Sequence, residues 1–325
     1  MESIRSFAAL FFLILLTSIL CSCAMEDERD LCCEEVVLHY LYRPYGEDIY
    51  KDNILGLQHF LFDPNGNFVK EIQSNPLNPQ VVRLTALPVG LYTVVTLGNV
   101  GSFTSLDPPE RLQDFLLKVS DAHRSDELFW NVRIFESKSG ERTFYICDLS
   151  NIHCHLNVRV EWEVMPPYTA QDDRYRLCQE GVGTAYTLSP ERIHHTLVLS
   201  NNGTPGVTQS DETHIVQDFP LSPTHGEYCA ETTLVGMRLY FNMTTLRYTM
   251  DHLPVLRLMH GTEQVSPDIQ LTKLFEEWGY LVDNHPEQQY DIIIRIKADG
   301  NAVVEQWAQA SVADWVYGGS FGGSM

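Results

Sequence analysis

Basic residues are scarce in this chain of 325 residues: 22 lysines and arginines stand against 43 aspartates and glutamates, for a net charge of −21 at pH 7. Nucleic acid phosphates and anionic bilayer surfaces repel such a charge, so neither is an expected partner. Catalytic signatures are missing too. The chain holds no Gly-x-Ser-x-Gly elbow, His-Glu-x-x-His helix, phosphate loop or Cys-x-x-Cys pair, which argues against an enzyme and implies no cofactor. Gly181-Val182-Gly183-Thr184 lacks the third glycine of a dinucleotide fingerprint. The many carboxylates form no identifiable catalytic pair and read as solvated faces. No apolar run reaches the ~20 residues of a membrane-spanning helix.

What is present begins at the amino terminus. Arg5 precedes an unbroken apolar run, Phe7 to Leu16, which passes through small and apolar residues to Cys21-Ser22-Cys23. That is the layout of a secretory signal peptide. Lipoprotein processing wants an aliphatic residue three before the modified cysteine and a small one just before it. Leu20 and Ser22 meet this for Cys23, whereas Cys21 would place Leu20 at the small site. Residues 1–22 are therefore expected to be removed and Cys23 to carry lipid. Several acyl chains, at ~0.8 kcal/mol per buried methylene, hold a protein to a membrane without basic residues. Ala24-Met25-Glu26-Asp27-Glu28 follows as an acidic stretch, and residues 23–34 read as a solvated tether.

About 300 residues then remain, enough for two domains of ordinary size. Cys32, Cys33, Cys147, Cys154, Cys178 and Cys229 are the disulfide candidates of an exported chain, with the pairing open. Cys32 and Cys33 are adjacent, so on a strand at most one points inward. The nearest approach to a metal site is His153-Cys154-His155, whose histidines share a strand face and are joined by His194 or His195 in a zinc reading. The spacing of strong zinc motifs is absent, and a strand start with a disulfide cysteine is preferred, so no metal site is assigned.

Hydrophobic periodicity is that of strands. Val36, Leu38, Tyr40 and Tyr42 fall on one side of a strand with His39 and Arg43 among those on the other, and Leu57 to Phe62 runs into Asp63-Pro64-Asn65-Gly66, a turn before a return strand at Phe68. Val81 to Leu84, Leu91 to Leu97, Leu128 to Phe135, Thr143 to Ile146 and His155 to Val164 continue the series. Apolar stripes predict short helices over Pro108 to Leu117 and Leu271 to Trp278, the second stopped by Gly279. Met165-Pro166-Pro167-Tyr168 breaks the pattern and marks a boundary near residue 166. Beyond it, strands are expected at His195 to Leu199, Thr233 to Asn242 and Tyr290 to Lys297, then from Asp299-Gly300 through Trp307 towards Trp315, with a polar loop over Asn201 to Ser210. The expectation is an all-β protein of two tandem β-sandwiches, residues 35–165 and 166–325, with short helical insertions.

Several motifs in order resemble one family, the minor-fimbrium anchor lipoproteins of fimbrillin-type (type V) pili. They are the lipobox, Asp30-Leu31-Cys32 before Val36-x-Leu38-x-Tyr40, Leu61-Phe62-Asp63-Pro64-Asn65-Gly66, Leu87-Pro88-x-Gly90-x-Tyr92, and the strand from Tyr290 to Lys297 with a tryptophan near the end. Two departures stand out: Cys32-Cys33 replaces the usual cysteine-proline, and ten residues follow Trp315. The resemblance implies transthyretin-like sandwiches, a protein that tethers or terminates a fimbrium at the outer membrane, and fimbrillin-type partners joined by donor-strand-like contacts. The tail from Val316 to Met325 carries four glycines and reads as a poor donor strand. Alternatives are a fimbrial tip adhesin, and a surface lipoprotein that stacks sugars on Trp130, Trp162 or Trp307. A metal-dependent hydrolase built on His153 and His155 ranks last.

Overall fold

The computed structural model describes residues 35–107, 109–120, 123–166, 174–188, 219–220 and 222–307. They form an all-β protein of layered sheets. Strand β1 (Glu35–Leu41) buries Val36, Leu38 and Tyr40 on one face. It lies between antiparallel β4 (Val81–Thr85) and parallel β9 (Arg142–Asp148). A second sheet runs in the order β10 (Ser150–Asn151), β8 (Phe129–Ser137), β5 (Gly90–Gly98), β2 (Leu57–Phe62) and β3 (Phe68–Ile72). The core of the first sandwich fills the space between them, with Tyr40, Leu61, Val94 and Phe135 among its members.

Local sequence explains the connections. Between β2 and β3, Gly66 takes a φ of 76°, and the Asp63 carboxylate accepts the backbone N–H groups of Asn65 and Asn67, each at 2.8 Å. Those hydrogen bonds, with the Asn67 side chain, hold the Asp63 carboxyl below its usual pKa. Tyr92, led in by Leu87-Pro88-x-Gly90, is buried and stacks on Phe135 with ring centres 5.9 Å apart. A single helical turn, α1 (Tyr50–Asn53), joins β1 to β2 and buries Tyr50.

The five-stranded sheet is covered on both faces, which is why Leu57-Gln58-His59-Phe60-Leu61-Phe62 is buried nearly throughout, with His59 held by Thr96 and Ser74. The second cover is a small sheet of β6 (Thr104–Leu106), β7 (Leu116–Val119) and β13 (Ala185–Thr187). Here the helix expected over Pro108 to Leu117 is corrected. The stretch forms only a 3-10 turn, Leu112–Asp114, followed by strand β7. Leu112 donates its N–H to the Gly66 carbonyl at 2.8 Å, and Phe115 accepts from the Leu188 N–H at 2.9 Å. Long-range partners thus take the backbone groups that a helix would use. Phe115 and Leu117 then bury against Phe60, Phe62 and Trp130.

The second sandwich pairs one sheet, β15 (Arg238–Leu246), β11 (His153–Trp162), β19 (Gln288–Ile296) and β20 (Ala302–Gln306), with another, β14 (His225–Thr233), β12 (Arg174–Gly183), β16 (Val255–His260) and β17 (Glu263–Gln264). A two-residue strand, β18 (Ile269–Gln270), also pairs with β16. The helix α2 (Leu271–Trp278) forms as expected and ends at Gly279, whose φ is 71°. It places Leu271 and Phe275 in the core beside Val158, Leu258, Ile292 and Ile294.

Two further expectations are corrected. The stretch from Thr233 to Asn242 is not one strand but the end of β14, a turn at Val235–Arg238 with Gly236 at a φ of 66°, and the start of β15. And β11, which a boundary near residue 166 assigns to the first sandwich, lies centrally in the second, between β15 and β19. Sheet membership changes between Asn151 and His153 because the chain leaves one sheet at β10 and enters another at β11 with scarcely a loop. The stretches from His195 to Leu199 and from Asn201 to Ser210, and Trp315, lie outside the described residues.

Candidate functional site

Glu35 is the first described residue and the first residue of β1. This strand is the middle of its sheet, so its backbone bonds to a neighbour on each side. Five residue pairs tie it to β4 and seven to β9. Tension along β1 loads both ladders in shear, and their bonds must break together rather than in sequence. At the entry point the Glu35 carboxylate, largely shielded, takes Arg83 of β4 at 2.8 Å and Arg142 of β9 at 2.9 Å. One acid thereby joins the strand to both its neighbours. Sequence periodicity located β1 but gave no hint of this clasp, because Arg83 and Arg142 are remote in sequence.

β9 is an edge strand among the described residues, and two of its outward side chains, between charged Arg142 and Asp148, are apolar. Phe144 is 54% exposed and Ile146 40%. An open edge with apolar alternate residues is the kind of site to which another strand adds.

The junction between the sandwiches is polar and buried. Arg247 reaches the carbonyls of Asn151 and Val282 at 3.4 Å each, that of Asp283 at 3.5 Å, and closely that of His285. Its guanidinium also lies 3.7 Å from the centre of the Phe219 ring. Burial lowers its pKa, opposed by the nearby Tyr186 hydroxyl. That hydroxyl donates to the Ile152 carbonyl at 2.9 Å and accepts the Arg247 N–H at 2.8 Å. Gln288 completes the set through Tyr248 and Val282. Tyr42 of the first sandwich donates to Glu287 at 2.5 Å. Force passing from β1 towards the second sandwich crosses this network.

The residues singled out from sequence are distributed as follows. Cys23, Cys32 and Cys33 lie outside the described residues. Cys178 and Cys229 face each other across β12 and β14 and form a disulfide. Cys147 and Cys154 are buried free thiols, one in each core. Burial pushes the Cys147 thiol up to about 12 and raises that of Cys154 further.

The histidines beside Cys154 have conventional partners. His153 is bonded through Nδ1 to the Leu128 carbonyl at 2.9 Å and through Nε2 to the Asn151 amide at 3.2 Å. Burial lowers its pKa to about 3. His155 meets Thr244 at 3.2 Å and Glu127 at 3.6 Å. Cys154 points into the core on the opposite face, while His194 and His195 lie outside the described residues. Trp130 and Trp162 are buried and present no face to a sugar. Trp307 is half-buried, with the Arg159 guanidinium 4.5 Å over its ring. No helix among the described residues is long and apolar enough to cross a membrane.

Comparison with known proteins agrees with this architecture. No curated protein matches the sequence closely enough to show kinship. Among solved structures, the fimbrial anchor protein Mfa2 from Porphyromonas gingivalis superposes with a TM-score of 0.57 at 14% identity, over 83% of this chain and 94% of that one. A candidate adhesin from Bacteroides thetaiotaomicron gives 0.57 at 12% identity, over 84% and 96% of the two chains. A candidate polysaccharide-binding protein of the same species gives 0.57 at 14%, over 85% and 98%. These likenesses establish the fold. The sequence pattern of the Fimbrillin-A associated anchor proteins Mfa1 and Mfa2 matches residues 30–317. That family is one of fimbrial anchor proteins of the cell envelope, and this chain belongs to it.

Proposed function

We propose that the protein is a lipid-anchored fimbrial anchor, moored in the outer membrane by acyl chains on Cys23 after removal of residues 1–22. The observation that carries this reading is the placement of β1: the chain passes from a twelve-residue tether, 23–34, into the middle strand of a sheet clasped by Glu35. An amino-terminal attachment under tension calls for that arrangement, and a protein held at its carboxyl end would not need it. The partner is a fimbrillin-type subunit whose terminal strand adds to the β9 edge, seating apolar side chains beside Phe144 and Ile146.

Cys23→Ala tests the mooring. The variant is expected to leave the membrane fraction and to appear in the medium together with any attached fimbriae; membrane retention of the variant would overturn the lipid anchor. Phe144→Glu combined with Ile146→Lys tests the docking edge. Fimbrillin co-purifying with the membrane-extracted protein should fall at least tenfold while the melting temperature holds. Unchanged co-purification places the contact elsewhere.

A further inference from the structure

The outer face of the β15–β11–β19–β20 sheet is divided in a way the anchor reading does not use. Paired positions across β15, β11 and β19 form rows. In one row Arg238, Glu161 and Arg295 stand side by side, with Glu161 bridging Arg159, Arg238 and Arg295 at 3.1, 3.2 and 3.8 Å. This end is an ion-paired surface of the ordinary kind. The rows towards the other end carry amides and a hydroxyl instead: Asn242, Asn157 and Asp291 in one, Thr244, His155 and Gln289 in the next. Asp291 is the one carboxylate in these two rows.

The amide end is also concave. A depression of about 310 Å³ is floored by Asn157, Asn242, Gln289 and Asp291 and bounded by Tyr240 and Trp307. Tyr240 is 46% exposed. Trp307 is held in place by its backbone N–H, which donates to the Asp291 carbonyl at 2.8 Å, and by Arg159 over its ring. The Asn157 amide donates to the Asp291 carboxylate at 2.7 Å, which fixes both groups and leaves the Asn157 carbonyl and the second carboxylate oxygen available.

We propose that this depression binds a neutral saccharide, one ring seated between Tyr240 and Trp307 with its hydroxyls on Asn157, Asn242, Gln289 and Asp291. The chemistry selects that class. Hydroxyls both donate and accept, and three amides with one carboxylate offer both roles side by side. Aromatic rings supply the apolar contact that a sugar's C–H face requires. The volume lies at the small end of ligand sites, which suits a single ring. An anion is disfavoured by Asp291, and the Arg159 guanidinium is engaged by Glu161 and Trp307. The proposal is independent of the anchor reading, since it concerns a different surface and needs neither lipid nor fimbrillin.

The test is ligand-observed saturation-transfer NMR on the full soluble chain with glucose, galactose, mannose and N-acetylglucosamine at millimolar concentration, and sialic acid as an anionic probe. Saturation of ring protons of at least one neutral sugar is expected. It should weaken at least tenfold in Asn157→Ala and, separately, in Tyr240→Ala, with the melting temperature of each variant checked against wild type. No saturation by any neutral sugar, equal saturation in both variants, or preference for sialic acid would overturn the proposal.

Discussion

Arg247→Ala is expected to destabilise the protein by about 4 kcal/mol and to uncouple its two sandwiches. The wild-type side chain makes one close charge-assisted bond, to the His285 carbonyl, and such bonds contribute ~1.5–3 kcal/mol. The contacts to Asn151, Val282 and Asp283, at 3.4 to 3.5 Å, add little by comparison. Stacking on Phe219 at 3.7 Å adds ~2 kcal/mol in a desolvated site. Against this stands the desolvation of the guanidinium, which truncation relieves, but the variant leaves carbonyls without a donor and a cavity where the stem packed. At ~2 °C per kcal/mol for a chain of this size, the melting temperature should drop by ~8 °C. Differential scanning calorimetry is the assay. One cooperative transition in the wild type should become two, because the severed network is the one that spans the sandwiches. Arg247→Met keeps the stem over Phe219 and should lose about half as much. A change below ~1 kcal/mol in both variants would refute the reasoning, because the desolvation of the buried cation would then have cancelled everything the junction gains.

Acid should weaken the fold well before carboxylates titrate. Burial lowers His59 to about 4 and His153 to about 3. Both folded values lie below the unfolded ~6.5, so the unfolded chain binds protons first and stability, full above that pH, falls as pH drops through the window below it. From pH 7 to pH 5 each histidine should contribute a loss of roughly 2 kcal/mol, measurable by urea titration. His153→Gln should flatten that dependence, and an unchanged slope would show that the ring is solvated. Replacing both Cys178 and Cys229 by serine opens a loop of 51 residues and should cost about 4 kcal/mol. The loss should fall on the second sandwich, and because the wild type unfolds in one transition, calorimetry should show that transition moving down by ~8 °C.

Cysteine spacing left the disulfide open among six residues, and only the register of β12 on β14 brings Cys178 opposite Cys229. The same holds for the helix expected over Pro108 to Leu117. Its apolar stripe is real, but Phe115 and Leu117 meet a second face of the five-stranded sheet, and that cover comes partly from Tyr186 and Leu188, far along the chain. A stripe shows that residues are buried; what they are buried against decides the backbone. The boundary near residue 166 was misplaced for a related reason, since β11 alternates equally well whichever sheet it joins.

Order and period were therefore written in the sequence. Alternation identified β1, β11 and β19, Gly66 and Gly279 set a turn and a helix end, and the apolar run before Cys23 set the expected mooring, because each of these depends on neighbours a few residues away. Tertiary structure alone decided the rest. Glu35 finds Arg83 and Arg142, Arg247 finds the carbonyls of Asn151 and His285, and Tyr240 and Trp307 come to line one depression with Asn157, Asn242 and Gln289. Those groups are distant in sequence, and a parallel pairing such as β1 with β9 needs a long crossover connection, here the chain that carries β2 to β8.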